Sequence, residues 1–251
     1  MNRFLFGVIG ILAAGLAAPA LAADLPARTY TKAPMVVPTP MVDWNGFYIG
    51  GEGGGAFGSD NLFFPASPSS TGRFDTSGGI AGGVIGYNFQ APGSNWVFGV
   101  EGNFDWANLG GTTVCPNTAF NCSTNLSEIF TGTGRIGYAW NSVLFYAKGG
   151  YAWTSDRANV VDPASGAVND GTSRIGRDGY TLGVGLEYMF APNWSAKVEY
   201  DYYNFGARTS NGNTPAGVFV EPITMSNYSV NSVKAGINYH FNFGGPVMAR
   251  Y

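Results

Sequence analysis

The sequence is short of charge, histidine, cysteine and long apolar runs. Charged residues are 12% of the 251, with 13 Lys and Arg against 16 Asp and Glu, a net charge of −3. With no cluster of bases to neutralise phosphates, this balance argues against a nucleic-acid binder. A disordered, highly charged chain is excluded too, because such chains have few aromatics and here aromatics reach 15%. The single histidine, His240, cannot make a histidine-rich metal site and leaves a Ser-His-Asp triad one candidate base. Beyond the amino-terminal leader, no stretch reaches the roughly 18 apolar residues of a transmembrane helix. The 38 glycines disfavour long helices, since each interior glycine costs about 1 kcal/mol. A membrane β-barrel stays open, because it hides its apolar face in alternation.

What is present divides the chain. Residues 1–22 have a short basic start around Arg3, an apolar run from Phe4 to Leu16 and a small-x-small ending at Ala20 and Ala22. This is the pattern of a cleaved export signal. Residues 23–43 carry Pro26, Pro34, Pro38 and Pro40 and read as an extended periplasmic linker. From Trp44 to Phe241, apolar-alternating segments are joined by connections that are alternately long and short. The short ones are 91–95, 141–142 and 191–193. The long ones, near 58–77, 110–127, 156–177 and 206–227, are rich in Gly, Ser, Thr, Asn and Pro and read as irregular loops. The count predicts eight strands with both ends on the short-turn side, followed by a tail at 242–251.

The alternation has period two. Trp194, Ala196, Val198, Tyr200 and Tyr202 share one face of the seventh segment, and Ser195, Lys197, Glu199, Asp201 and Tyr203 the other. A soluble sandwich would bury the apolar face. Two features favour the inverse, an apolar face in lipid. Aromatics cap the apolar faces at both ends: Phe47, Phe89, Trp96, Tyr138, Trp140, Phe190, Trp194, Tyr239 and Phe241 on the short-turn side, and Phe57, Phe104, Trp106, Phe130, Tyr151, Trp153, Tyr180 and Tyr202 on the other. Two such bands match interfacial girdles. The polar faces mix charges of both signs, with Glu52, Glu101, Asp105, Arg135, Lys148, Glu187, Lys197, Glu199, Asp201 and Lys234 forming a lumenal charge network. Facing lipid near the midplane, each basic group would cost about 2–4 kcal/mol. The fold expected is all-β: an eight-stranded antiparallel up-and-down transmembrane barrel over 44–241, with short periplasmic turns and long extracellular loops.

The last segment presents Lys234, Gly236, Tyr239 and Phe241 in a polar-x-Gly-x-x-aromatic-x-aromatic order. This resembles the terminal-strand signal that outer-membrane barrels show their assembly machinery, although the family pattern usually ends the chain and here residues follow it. The Ala23–Pro26 start, the Trp44-Asn45-Gly46-Phe47-Tyr48-Ile49-Gly50-Gly51 opening and the ending from Tyr239 to Pro246 are similar to the small outer-membrane β-barrel proteins of rhizobia and brucellae, often labelled porin-family or major surface immunogens. The resemblance covers nearly the whole mature chain. It implies a barrel in the outer membrane of a Gram-negative cell, in contact with outer-membrane lipid and lipopolysaccharide. It supplies no shared catalytic motif.

The remaining motifs carry little chemistry. Gly53, Gly55 and Gly58, and Gly132, Gly134 and Gly137, match G-x-G-x-x-G but lack the helix a dinucleotide fingerprint requires, so they read as strand glycines. Cys115 and Cys122, with six residues between them, favour a disulfide within the second long connection, since export makes the compartment oxidising. Four Asn-x-Ser matches carry no functional weight. No catalytic, cofactor or metal residues are expected, and no strand marks an oligomer interface. Eight strands leave a lumen just wide enough for side chains, and Tyr48, Tyr146 and Tyr203 fall inside it by parity. Lumenal glycines on the first, second and sixth strands leave room for a narrow water path. Three roles stay open: a structural, surface-exposed barrel, a narrow channel for small solutes, or a binding module acting through Phe63, Phe64, Phe120 and the Val218–Val220 stretch of its loops.

Overall fold

The computed structural model describes residues 42–241 and resolves their alternation into thirteen strands, numbered in chain order. Eight form the barrel: β1 (Gly46–Asp60), β4 (Phe74–Gln90), β5 (Trp96–Val114), β6 (Asn121–Trp140), β7 (Val143–Val161), β9 (Ile175–Ala191), β10 (Trp194–Phe205) and β13 (Tyr228–Phe241). Each pairs antiparallel with the next, and β1 closes on β13 from Phe47↔Phe241 to Ser59↔Ser229. The expected export signal at 1–22, the expected linker up to residue 41 and the expected tail at 242–251 lie outside the described residues.

Apolar side chains line the outside of this closed sheet. Val198, Val184, Leu182, Ile85, Val100 and Ile237 are all exposed there. The aromatics at the two ends pack edge to face, with Trp96 and Tyr138 centroids 5.5 Å apart, Trp194 and Tyr239 5.0 Å apart, and Phe104 and Trp106 4.9 Å apart at the opposite end. Apolar groups outside and charges inside suit a sheet whose solvent is hydrocarbon. The tight turn after β6 uses Asn141 at φ 53°, a left-handed position that asparagine tolerates.

One register change separates the barrel from its upper extension. Below it, odd-numbered β6 residues such as Ile129 and Arg135 point inward; above it, even-numbered Leu126, Thr124 and Cys122 do. The pairing of β6 shifts between Leu126 and Glu128, so Ser127 is the extra residue of a bulge. A period-two reading carried straight through this point would invert the face of every residue beyond it.

The long connections depart from the irregular loops their composition predicts. β5 runs to Val114 and β6 starts at Asn121, so only 115–120 of the second connection lies outside strands. The other three contribute β2 (Leu62–Phe64), β3 (Ser69–Ser70), β8 (Val168–Thr172), β11 (Arg208–Asn213) and β12 (Phe219–Met225). These pair in the order β3-β2-β12-β11-β8-β7, making an outer sheet continuous with the barrel wall. The pairings join residues far apart in sequence, such as Phe63 with Thr224 and Thr172 with Gly212, so no local periodicity announces them. Beneath the outer sheet lies an apolar core that includes Leu62, Phe64, Phe74, Val160, Ile223 and Met225. Phe64 is therefore an internal packing residue, contrary to its expected exposure, whereas Val218, Phe219 and Val220 are exposed at the tip of the β11–β12 hairpin.

The lipid-facing assignment has a direct test. Val198, outward on β10 between the two aromatic bands, should not tolerate charge. Val198→Arg is expected to destabilise the barrel in phospholipid vesicles by about 2–4 kcal/mol, read from urea midpoints, while Val198→Leu leaves the midpoint close to that of the parent.

Candidate functional site

The lumen is the candidate site, because it gathers the charges that the period-two pattern turns inward. Glu52 comes from β1, Glu101 and Asp105 from β5, Arg135 from β6, Lys148 from β7, Glu187 from β9, Lys197, Glu199 and Asp201 from β10, and Lys234 from β13; all are buried. Arg135 bridges Glu101 at 3.2 Å and Glu187 at 3.0 Å. Lys148 reaches Glu101 at 3.1 Å, Glu199 at 2.5 Å and Asp201 at 3.4 Å. Lys234 contacts Glu52 at 2.5 Å, Asp105 at 3.1 Å and Asp201 at 3.2 Å, and Lys197 contacts Glu52 at 2.5 Å. All ten charges thus belong to one connected lattice spanning seven strands. Each lysine or arginine meets more than one carboxylate, which offsets the several kcal/mol per ion that burial costs.

Neutral groups complete the lattice. Tyr48 donates to Glu101 at 2.7 Å and Tyr146 to Glu199 at 2.7 Å, while the Arg135 guanidinium lies 4.1 Å from the Tyr146 ring centroid. Asn103 donates to Glu52 and Asn238 to Glu187. Two lumenal glycines have a specific reason. A Cβ built at Gly86 would fall 2.3 Å from the Tyr48 ring, and one at Gly185 2.3 Å from the Tyr146 ring. The space these glycines free is filled by the tyrosines facing them. This overturns the expected room for a water path at those points.

His240 meets Ser195 Oγ at 2.8 Å and a Glu187 oxygen at 3.2 Å, both through Nε2. In a catalytic triad the serine and the acid engage different ring nitrogens. Ser195 also donates to Glu187 at 2.5 Å and is fully buried, so the trio ties strands together and lacks the geometry for nucleophilic attack.

The lattice lies between two clusters of buried apolar residues. At the short-turn end, Trp44 lies just before β1, is fully buried and meets His240 edge-on at 5.6 Å, packing in a cluster with Val97, Ala139, Leu144 and Met189. Toward the long loops, Ile80, Leu109, Leu126, Ile129, Tyr203, Phe205, Tyr228 and Val230 form a septum drawn from five strands. Beyond it sits a second buried polar group: Arg177 pairs with Asp156 and donates to the Ser226 carbonyl at 2.7 Å, beside buried Asp60 and Thr124. The outer-sheet core then covers that group.

Sequence reasoning found the ten lattice residues through strand parity and missed Trp44, Asp60, Asp156 and Arg177. Asp156 and Arg177 fall in a stretch whose composition reads as loop, and Trp44 precedes any alternation. The motif residues Lys234, Gly236, Tyr239 and Phe241 all sit on β13, with Lys234 inward and Phe241 outward at the closing seam. Cys115 and Cys122 are bonded to each other, closing the turn at the tip of the β5–β6 hairpin.

Comparison with known proteins places these features in context. The model of the outer membrane protein beta-barrel domain matches residues 9–241. The 31 kDa outer-membrane immunogenic protein of Brucella melitensis is 31% identical over 246 residues, covering 93% of this chain and 98% of its own. A 22 kDa outer membrane protein of Rhizobium leguminosarum bv. viciae is 29% identical over 210 residues, 80% of each chain. Among solved structures, the outer membrane protease OmpT of Escherichia coli aligns with a TM-score of 0.50 at 12% identity, covering 81% of this chain and 99% of that one, a likeness of fold alone.

Two substitutions test the lattice and the cap. Arg135→Met removes the partner shared by Glu101 and Glu187 and should lower stability in vesicles by about 3–5 kcal/mol, the cost of stranding buried charge, with Arg135→Lys recovering part of it. Replacing Cys115 and Cys122 by Ser should leave the heat-dependent gel shift of the folded barrel intact while exposing 115–120 to protease, since the bond closes only an outer turn.

Proposed function

The chain belongs to the outer membrane protein β-barrel family, and from that premise we propose that it is a sealed structural barrel, holding its outer sheet at the surface of a Gram-negative outer membrane. The single observation that carries this reading is the septum: Ile80, Leu109, Leu126, Ile129, Tyr203, Phe205, Tyr228 and Val230 fill the lumen beyond the charge lattice. An aqueous path through eight strands requires side chains to leave a gap, and here apolar layers bound the lattice on both sides. Nothing in this role calls for catalysis or a cofactor. The alternative of a narrow channel for small solutes has only the mixed lumenal charge in its favour.

The orientation follows from the chain. The short turns lie on the same side as both termini of the barrel, which in this class is periplasmic, so the outer sheet faces the medium and meets lipopolysaccharide. The tip of the β11–β12 hairpin supports a further contact role, because Val218, Phe219 and Val220 stand exposed there at 62%, 56% and 44%. Solvent-exposed apolar groups grouped at a tip suit contact with envelope components or a host surface. The terminal-strand residues Lys234, Gly236, Tyr239 and Phe241 are proposed as the segment presented to the barrel-assembly machinery.

Conductance across planar lipid bilayers decides between the first two roles. The folded barrel, verified by its heat-dependent gel mobility, is expected to insert without discrete current steps. Reproducible single-channel steps would refute the sealed reading and make Arg135, Lys148, Glu199 and Lys234 the residues to examine for ion selectivity.

A further inference from the structure

Five segments converge on a cleft of about 240 Å³ at the long-loop end, separate from the lumen. Its apolar walls include Phe64 of β2, Phe120 of the disulfide-closed turn and Val160 of β7, and its polar groups include Asn117, Asp170 of β8 and Glu221 of β12. The outer sheet places the two carboxylates there: Val160 is paired across from Asp170, and β11 joins β8 to β12.

Asp170 is the informative group. It is only 2% exposed, and one of its oxygens accepts from the Asn169 amide at 3.2 Å. The other oxygen is buried and has no hydrogen-bond partner. Among the described residues, no lysine or arginine pairs with Asp170 or Glu221. Burial holds the Asp170 carboxyl above its ordinary range, and burial together with the neighbouring Asp170 charge does the same for Glu221. The carboxylates of the lumenal lattice and Asp156 have cationic partners within the fold, as Asp156 has Arg177 and Glu52 has Lys197 and Lys234. A buried acid without one is costly, and the cleft it lines leaves space for a counter-charge from outside.

We propose that this cleft binds an organic cation: a primary ammonium or guanidinium group, seated between Asp170 and Glu221, on a short apolar stem lying along Phe64, Phe120 and Val160. A charge-assisted hydrogen bond would satisfy the free Asp170 oxygen, and the methylene stem of such a group lies readily against apolar surface. A calcium ion takes six to eight oxygen ligands, and it would gain nothing from apolar walls. The cation has two possible sources, a free polyamine or a lysine or arginine side chain of a polypeptide.

Calorimetry on the refolded barrel in detergent micelles tests this with four probes: cadaverine, acetyl-lysine methylamide, acetyl-norleucine methylamide and calcium chloride. Saturable binding of cadaverine or the lysine derivative, absent for norleucine, is expected. Binding of cadaverine alone identifies a free amine as the source, and binding of the lysine derivative identifies a polypeptide side chain. Asp170→Asn should weaken binding on the order of tenfold or more, and Glu221→Gln, at a half-buried position, provides a second variant if the first refolds poorly. Asp75→Asn, an exposed acid at the same end of the barrel, should leave binding unchanged. Failure of both amines to bind, equal binding of norleucine, indifference to both cleft variants, or binding of calcium in place of the amines would overturn the proposal.

Discussion

A backbone surrounded by hydrocarbon has no water to satisfy its N–H and C=O groups, so a membrane sheet must close on itself. In this protein that closure is the β1–β13 seam, paired from Phe47↔Phe241 upward. The rest follows from it. Closure with eight strands sets a narrow bore, the alternation sends every second side chain into that bore, and lipid outside forces the charges in. A narrow bore that receives ten charged groups must then match each base to acids at contact distance, as Arg135, Lys148, Lys197 and Lys234 do. Gly86 and Gly185 belong to the same constraint, because only a residue without Cβ leaves room for the rings of Tyr48 and Tyr146.

The bore is organised in layers. Apolar packing around Trp44, a charged lattice, an apolar septum, the Asp60–Asp156–Arg177 group and the outer-sheet core succeed one another from the short turns to the loops. Polar layers held between dry ones lose the screening of water, which strengthens their internal pairs and raises the penalty for any left unmatched. Asp170 lies above this stack and differs from the acids within it in lacking a cationic partner among the described residues. That difference is what makes the outer cleft a separate chemical object.

Much of this was legible in the sequence, and the division is physical. Where a strand has lipid on one side and bore on the other, parity is strict, so Lys197, Glu199 and Val198 declare their faces directly. The tight turns at Asn141 and Asn193 likewise show in composition. The signal fades where pairing is non-local. β2 and β12 meet across the whole chain, and neither Phe63 nor Thr224 carries any trace of the other. The bulge at Ser127 shifts the period without a glycine or proline to mark it. Trp44 precedes the first alternating segment, so no parity indicates that it turns into the bore. Asp156 and Arg177 look like loop charges because their partnership depends on how far β7 and β9 extend beyond the membrane.

The outer sheet has an open flank, and its composition bears on how copies of the protein behave side by side. β3 has two residues, and β12 meets β2 only at Thr224 and Met225, leaving the Phe219–Ile223 stretch unpaired on that side. Pro222 stands within that stretch. A proline donates no backbone hydrogen bond, and a two-residue strand offers almost no template, so neither edge invites a neighbouring molecule to add its own strand. A surface crowded with these barrels can therefore stay a two-dimensional fluid, free of the lateral strand-to-strand fibres that exposed sheet edges nucleate.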